Sequence, residues 1–237
     1  MFLSTSRVYP VRQLNGLAYS EGDTRFELDD VQPFPGASRR GISEDFPLEG
    51  ARTLYGATKL GAELLIAEYA AAFGLPTVVD RCGVVAGPWQ MGKVDQGVYT
   101  HWMVSHYLRR ELSYIGFGGR GKQVRDLLHV EDLVALISDQ LARPEEWAGS
   151  TVNVGGGPEG SLSLMEATQL CEDLTGNRIA VGSIAENRPG DVPLYISDCR
   201  KLSASADWTP QRAPRQIMED IFHWIHANER TLLTALR

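Results

Sequence analysis

The longest helical period in the chain falls in "LYGATKLGAELLIAEYAAAFG", residues 54–74. Leu60, Leu64, Leu65, Ala67 and Ala71, with Glu68 among them, recur at the spacing of one helical face, which predicts a helix over 53–73. Gly74 stands where a left-handed residue ends such a helix. Past Pro76, "TVVDRCGVVAG" (77–87) reads as a strand running into a Gly-Pro loop. A helix followed after a short connection by an apolar strand is the pattern of a parallel sheet. Ahead of the helix, residues 2–5 read as a short apolar strand. Residues 10–52, rich in Pro, Gly, Asp, Arg and Ser, read as a long loop with at most a hairpin around 24–28.

The alternation continues towards the C-terminus. It predicts a helix over 95–111, strands in "LSYIGFGG" and "KQVRDLLHV", a helix over 130–143 stopped by Pro144, and a strand in "TVNVGGG" (151–157). Ser163, with Glu166 three residues on, is a capping box opening a helix that Gly176 closes. "RIAVGSI" reads as a strand, "RPGDVPLYISD" as an extended segment, and 214–235 as mostly helix. Strands and helices alternate with no clean linker, so the class is α/β.

Composition removes several function classes. With 23 basic and 30 acidic side chains the net charge is −7, which argues against nucleic acid or an anionic membrane as partner. A local basic pocket for a phosphate ligand remains open. Cys82, Cys171 and Cys199 are widely spaced and odd in number, so no disulfide framework or zinc site is expected, and a reducing, cytoplasmic setting is. The histidines have no metal-ligand spacing, so no metal is expected. No apolar run approaches the roughly 18 residues of a membrane span. The start, "MFLSTSRVYP", is unlike a signal peptide and reads as a core strand entered without a lead-in.

The candidate chemistry sits at the start of the long helix. Tyr55 and Lys59 are one turn apart on one face. An ammonium beside a phenol favours the phenolate and lowers its pKa from about 10. Such a tyrosine can take a proton from a substrate hydroxyl while hydride leaves the same carbon. The plain alternative is a surface pair. Thr5 and Ser6 end a strand at the edge where ligands bind in an open parallel sheet, or simply cap it. Arg125 stands beside Asp126, and a structural pair between them is the plain reading. The run "GFGGRG" (116–121) opens no helix and is not a dinucleotide loop.

Five blocks in order carry a family resemblance: "STSRVY" (4–9), "YGATK" (55–59), "RCGVVAGPWQ" (81–90), "GKQVRDLLHVED" (121–132) with "VNVGGG" (152–157), and "RPGDVPLYISD" (188–198). Together they resemble the extended short-chain dehydrogenase/reductase family, the nucleotide-sugar epimerases and dehydratases. The resemblance implies a partial Rossmann-like parallel sheet with a small C-terminal α/β substrate domain. Residues 1–94 would be the later part of the NAD domain, rejoined by a strand near 151–155, and residues 95–237 mainly the nucleotide-sugar region. It implies NAD as cofactor, Thr5, Tyr55 and Lys59 as catalytic residues, and Tyr55, Lys59 and Arg81 on the cofactor. Gln123, Arg125, Arg188 and Asp191 would hold the substrate, with both arginines on its diphosphate.

The reaction is narrowed by departures from the pattern. Dehydratases resemble "TDEVY" in the first block, with an acid pair that this chain replaces by Ser6 and Arg7. Many 4-epimerases carry an asparagine where this chain has Val84. The long insertion before Tyr55, "DQG" (95–97) and "SLSLMEATQLCEDL" are similar to the 2-epimerases of CDP-linked deoxyhexoses. That similarity implies C2 epimerisation through a keto intermediate, with hydride lent to NAD and returned to the other face. A 4-epimerase, a reductase of the same family and a non-catalytic subunit are the alternatives. The family's first half, with its GxxGxxG turn, is not in this sequence. The expectations are a missing N-terminal half, strands at 2–5 and 77–81 short of neighbours, poor NAD affinity, an inactive isolated chain and a possible homodimer.

Overall fold

The computed structural model describes residues 1–93, 96–206 and 208–235. Asp95 of the "DQG" stretch lies outside the described residues. Strand β1 (Phe2–Thr5) leads into a single 3-10 turn over Ser6–Val8. The segment expected to be mostly loop instead carries helix α1 (Val11–Asn15) and two small hairpins. These are β2 (Tyr19–Glu21) with β3 (Phe26–Leu28), and β4 (Ala37–Ser38) with β5 (Gly41–Ile42). Leu14, Leu17, Phe26, Leu28, Ile42 and Phe46 are buried there against Val124, Leu194 and Tyr195. Spaced apolar residues anchored on distant strands, rather than local periodicity, order this segment.

Helix α2 (Leu54–Phe73) has its expected bounds. Thr53 accepts from the Gly56 N–H at its start, and Gly74 ends it in the left-handed region at φ 64°. The expected apolar stripe is not its packing face. Leu64 and Leu65 are exposed, and the buried positions are Gly56 and Glu63. The helix packs mainly on β1 and the 3-10 turn, so one narrow strip of its surface is enclosed.

"TVVDRCGVVAG" is two strands, β6 (Val78–Cys82) and β7 (Val84–Ala86), broken at Gly83. Then follow α3 (Val98–Tyr107), β8 (Leu112–Ile115), β9 (Val124–His129), α4 (Val130–Ala142), β10 (Ser150–Val154) and β11 (Ser161–Ser163). The chain continues through α5 (Leu164–Thr175), β12 (Val181–Ile184), β13 (Leu194–Tyr195), α6 (Arg200–Ser205), α7 (Pro214–Ala227) and α8 (Glu229–Ala235). Ser163 and Glu166 close the predicted capping box on α5, and Gly176 ends that helix at φ 70°.

β6 is the middle of a parallel sheet in the order β1-β6-β10, with Thr5, Cys82 and Val154 level at its C-terminal edge. The expectation that the 77–81 strand lacks neighbours is therefore corrected: β6 is paired on both sides. Among the described residues β1 is paired on one side only. A second sheet gathers β7, β11 and β13 around β9, and β8 pairs with β12 in parallel. Helices α3, α5 and α7 pack on one another around Trp102, Met103, Cys171, Ile217 and Ile221. No helix among the described residues is long and apolar enough to cross a membrane.

Candidate active site

The C-terminal edge of the parallel sheet and the start of α2 meet at Thr5. Its Oγ1 accepts from the Arg7 N–H at 3.2 Å and so caps the turn that carries the chain away from β1. Gly56 makes the approach of α2 possible, because a Cβ there would lie 2.0 Å from the Arg7 carbonyl oxygen. Tyr55 is thereby held beside the turn and is 55% exposed. Its hydroxyl has no hydrogen-bond partner among the described residues. One turn on, Lys59 Nζ donates to the Leu3 carbonyl at 2.9 Å and lies 4.8 Å from the centre of the Phe2 ring. Lys59 is thus fixed along β1, on the face next to Tyr55.

Arg81 does not occupy the place expected of it. It was expected on the cofactor, but its side chain is buried beneath α2. Nη2 donates to Glu63 Oε2 at 2.8 Å, and Nη1 to the Tyr9 hydroxyl at 3.3 Å. Ser4 Oγ donates to the same Glu63 carboxylate, and Tyr9 donates on to Asn153 Oδ1 at 2.8 Å. Burial opposes the Arg81 cation, but its bonds to Glu63 and Tyr9 outweigh that penalty and raise its pKa. Burial likewise pushes the Tyr9 phenol up to about 12. This network ties β1, α2, β6 and β10 together under the site and uses every group it contains.

A cavity of about 1090 Å³ opens between these elements and the second sheet. Tyr55, Gln123, Arg125, Arg188 and Asp191 all line it, although the chain separates the first from the rest by most of the fold. Thr5, Lys59 and Arg81 do not line it. Gln123 donates to the Ile115 carbonyl at 3.1 Å, while its Oε1 is buried with no hydrogen-bond partner among the described residues. Arg125 donates to the carbonyls of Val124 at 2.7 Å and Val192 at 2.8 Å. Burial, then the neighbouring charge of Arg7, pulls the Arg125 pKa down to about 10. The Arg188 carbonyl accepts from the Asp191 N–H at 3.1 Å, and this turn presents both residues to the cavity.

Arg7 also lines the cavity. The sequence reading used it only as the absence of an acid. The signal that could have found it is a cation two residues past a strand-end threonine. Val84, the position of the missing asparagine, is a lining residue as well.

A dinucleotide fits this arrangement at one end only. Tyr55 and Lys59 share a face of α2 beside the strand edge that ends in Thr5. The glycine run after β10 leads into β11, and that after β8 into a 3-10 turn, so neither opens an α-helix for a pyrophosphate.

Comparison with known proteins agrees with this geometry. The chain is 29% identical over 227 residues to the CDP-paratose 2-epimerase of Salmonella typhi, covering 94% of this chain and 64% of that protein. It is 30% identical over 225 residues to the UDP-glucose 4-epimerase of Corynebacterium glutamicum, covering 90% of this chain and 64% of that protein. The chain therefore spans less than two thirds of the length of these relatives. Among solved structures, the UDP-glucuronic acid 4-epimerase of Bacillus cereus, in complex with UDP-glucuronic acid and NAD, superposes with a TM-score of 0.72. That match is 21% identical, covers 95% of this chain and 60% of the other, and shows the common fold. The family model for the NAD dependent epimerase/dehydratase family matches residues 1–155, and the chain belongs to that family.

Proposed function

We propose that this chain carries the proton-transfer helix and the nucleotide-sugar pocket of an NAD-dependent epimerase acting at C2 of a CDP-deoxyhexose. One observation carries the reading. Tyr55 lines the same cavity as Gln123, Arg125, Arg188 and Asp191. A phenol that can move a proton and a set of anion-binding guanidiniums thus address one ligand.

The roles follow from position. Arg125 and Arg188 take the diphosphate, since a guanidinium fork matches phosphoryl oxygens. Asp191 stands beside them for a ribose hydroxyl, and Gln123, in the same cavity wall, accepts from a hydroxyl or amine of the ligand. Tyr55 takes the proton of the sugar hydroxyl at the carbon that is oxidised, and returns it when that carbon is reduced. Thr5, at the end of β1, caps the turn beside Tyr55 and so positions the reacting end of the cavity. Lys59, on the β1 side of Tyr55, faces the ribose end of the cofactor and stabilises the phenolate when it forms. Bound NAD supplies the acceptor and donor of hydride. The apolar Val84 in the cavity wall favours C2 over C4, and the similarity to the Salmonella typhi enzyme points the same way.

The test is incubation with NAD and CDP-paratose in deuterated water, followed by NMR, of the chain supplied with the N-terminal third of the Salmonella typhi relative, because the chain alone is expected to be inactive. The expected product is inverted at C2 and carries no solvent deuterium, because hydride is retained. Deuterium at C2 would replace hydride transfer by carbon deprotonation. Inversion at C4 of UDP-glucose in its place would move the reaction along the sugar, and no affinity for any nucleotide would overturn the reading of the pocket.

A further inference from the structure

Arg7 is the cavity residue that this reading leaves without a task. Its backbone touches the first turn of α2 beside Tyr55, through the close contact with Gly56. Its guanidinium crosses to the opposite wall, where Nη1 donates to the Gly190 carbonyl at 2.9 Å. Gly190 lies in turn against Thr53, the residue that caps α2. Arg125 hangs from the same segment two residues further on, at the Val192 carbonyl.

Both guanidiniums are therefore held by peptide carbonyls, which fix their position without neutralising them. Among the described residues neither has a carboxylate ion pair. A guanidinium has five N–H donors, and the carbonyl anchors use one of Arg7 and two of Arg125. Tyr99, Asp191 and Asp126 act against the repulsion from Arg7 at Arg125, and an anion between the two guanidiniums adds to that relief. The chain has thus built a pair of like charges into one cavity wall, adjacent to Tyr55, with donors to spare.

We propose that Arg7 is a substrate-binding residue that shares an oxyanion of the ligand with Arg125. The inference rests on the nucleotide-sugar reading and extends it to a residue at the reacting end. Two parts of such a ligand have the required chemistry: a phosphoryl oxygen of the diphosphate, and a carboxylate on the sugar ring.

Calorimetric titration of the 237-residue chain with UDP, UDP-glucose and UDP-glucuronate, with the cytidine counterparts alongside, tests it. Arg7→Gln is expected to weaken binding by roughly ten- to a hundredfold, the loss of a charged hydrogen bond. Arg7→Lys keeps the charge without the planar fork and should fall between Arg7→Gln and the native chain. The difference should shrink as salt rises. A loss shared by all three ligands assigns the phosphoryl group, and a loss confined to UDP-glucuronate assigns the carboxylate. Either outcome supports the proposal. Equal affinities of Arg7→Gln and the native chain overturn it. So does a loss of the same factor at low and high salt, since a residue that only tethers Gly190 would act that way. No binding by the native chain overturns the nucleotide-sugar reading itself.

Discussion

Asp80 is a carboxyl on the central strand β6, with no exposed surface. Gln140 Nε2 donates to its Oδ1 at 2.8 Å, while Asp80 Oδ2 and Gln140 Oε1 are both buried with no partner. Two orphaned acceptors on one pair have a common remedy. A proton on Asp80 Oδ2 can be donated to Gln140 Oε1 and close a two-bond acid–amide pair. Burial, partly offset by the Gln140 bond, raises the Asp80 pKa from the ordinary 3.8 to about 6. The difference of about two pH units, at ~1.4 kcal/mol each, comes to ~3 kcal/mol. Because the folded pKa lies above the unfolded one, the folded chain holds the extra proton. This contribution is complete below the unfolded value and is lost as pH rises through about 6. Asp80→Asn keeps the acceptor for Gln140 and adds a donor that never titrates. It should match the native chain near pH ~4 and exceed its stability by up to ~3 kcal/mol near pH ~7.5. Urea unfolding followed by tryptophan fluorescence at a series of pH values measures the gap, and other titrating groups cancel in the comparison. A gap that does not change with pH, or an Asn variant weaker at pH ~7.5, would refute the reasoning.

Other expectations concern α2. Gly56→Ala forces its Cβ against the Arg7 carbonyl, while Gly61→Ala meets nothing within 4 Å. The first should destabilise by ~1–3 kcal/mol and the second stabilise by up to ~1 kcal/mol; thermal melts that move in the same direction would contradict the packing described. Glu63→Gln leaves the buried Arg81 cation without its counter-charge and should cost ~3 kcal/mol or more, read as a lower urea midpoint. Tyr55→Phe removes a hydroxyl with no internal partner, so the melt should be unchanged while epimerisation by the chain supplied with a relative's N-terminal third is lost; retained turnover there would take Tyr55 out of the chemistry.

What the sequence made legible is what short-range physics decides. Gly74 ends α2, Ser163 and Glu166 open α5, and Pro144 follows α4, because caps and breakers act within a few residues. The hidden parts depend on partners distant in the chain. "TVVDRCGVVAG" looks continuous, but a Cβ at Gly83 would lie 3.1 Å from Asp126 Oδ1, so the break between β6 and β7 answers to a residue in β9. The insertion before Tyr55 looks irregular because Leu14, Phe26 and Phe46 find their order against Val124 and Tyr195.

Arg81 shows the same limit at the candidate site. In sequence it is a cation at the edge of a family block, and a phosphate or ribose is a natural partner for it. The structure supplies an acid instead: Glu63 stands one helical turn past Lys59 and two past Tyr55, so it shares their face of α2. The buried pair of Arg81 and Glu63 thereby clamps α2 to β6, while Ser4 clamps it to β1. A buried ion pair adds little net stability over an apolar contact, but it tolerates no sliding. Slippage of α2 by one residue would swing Tyr55 by about 100° away from the cavity. The charge pair beneath the site is therefore best understood as the register pin of the helix that reaches it.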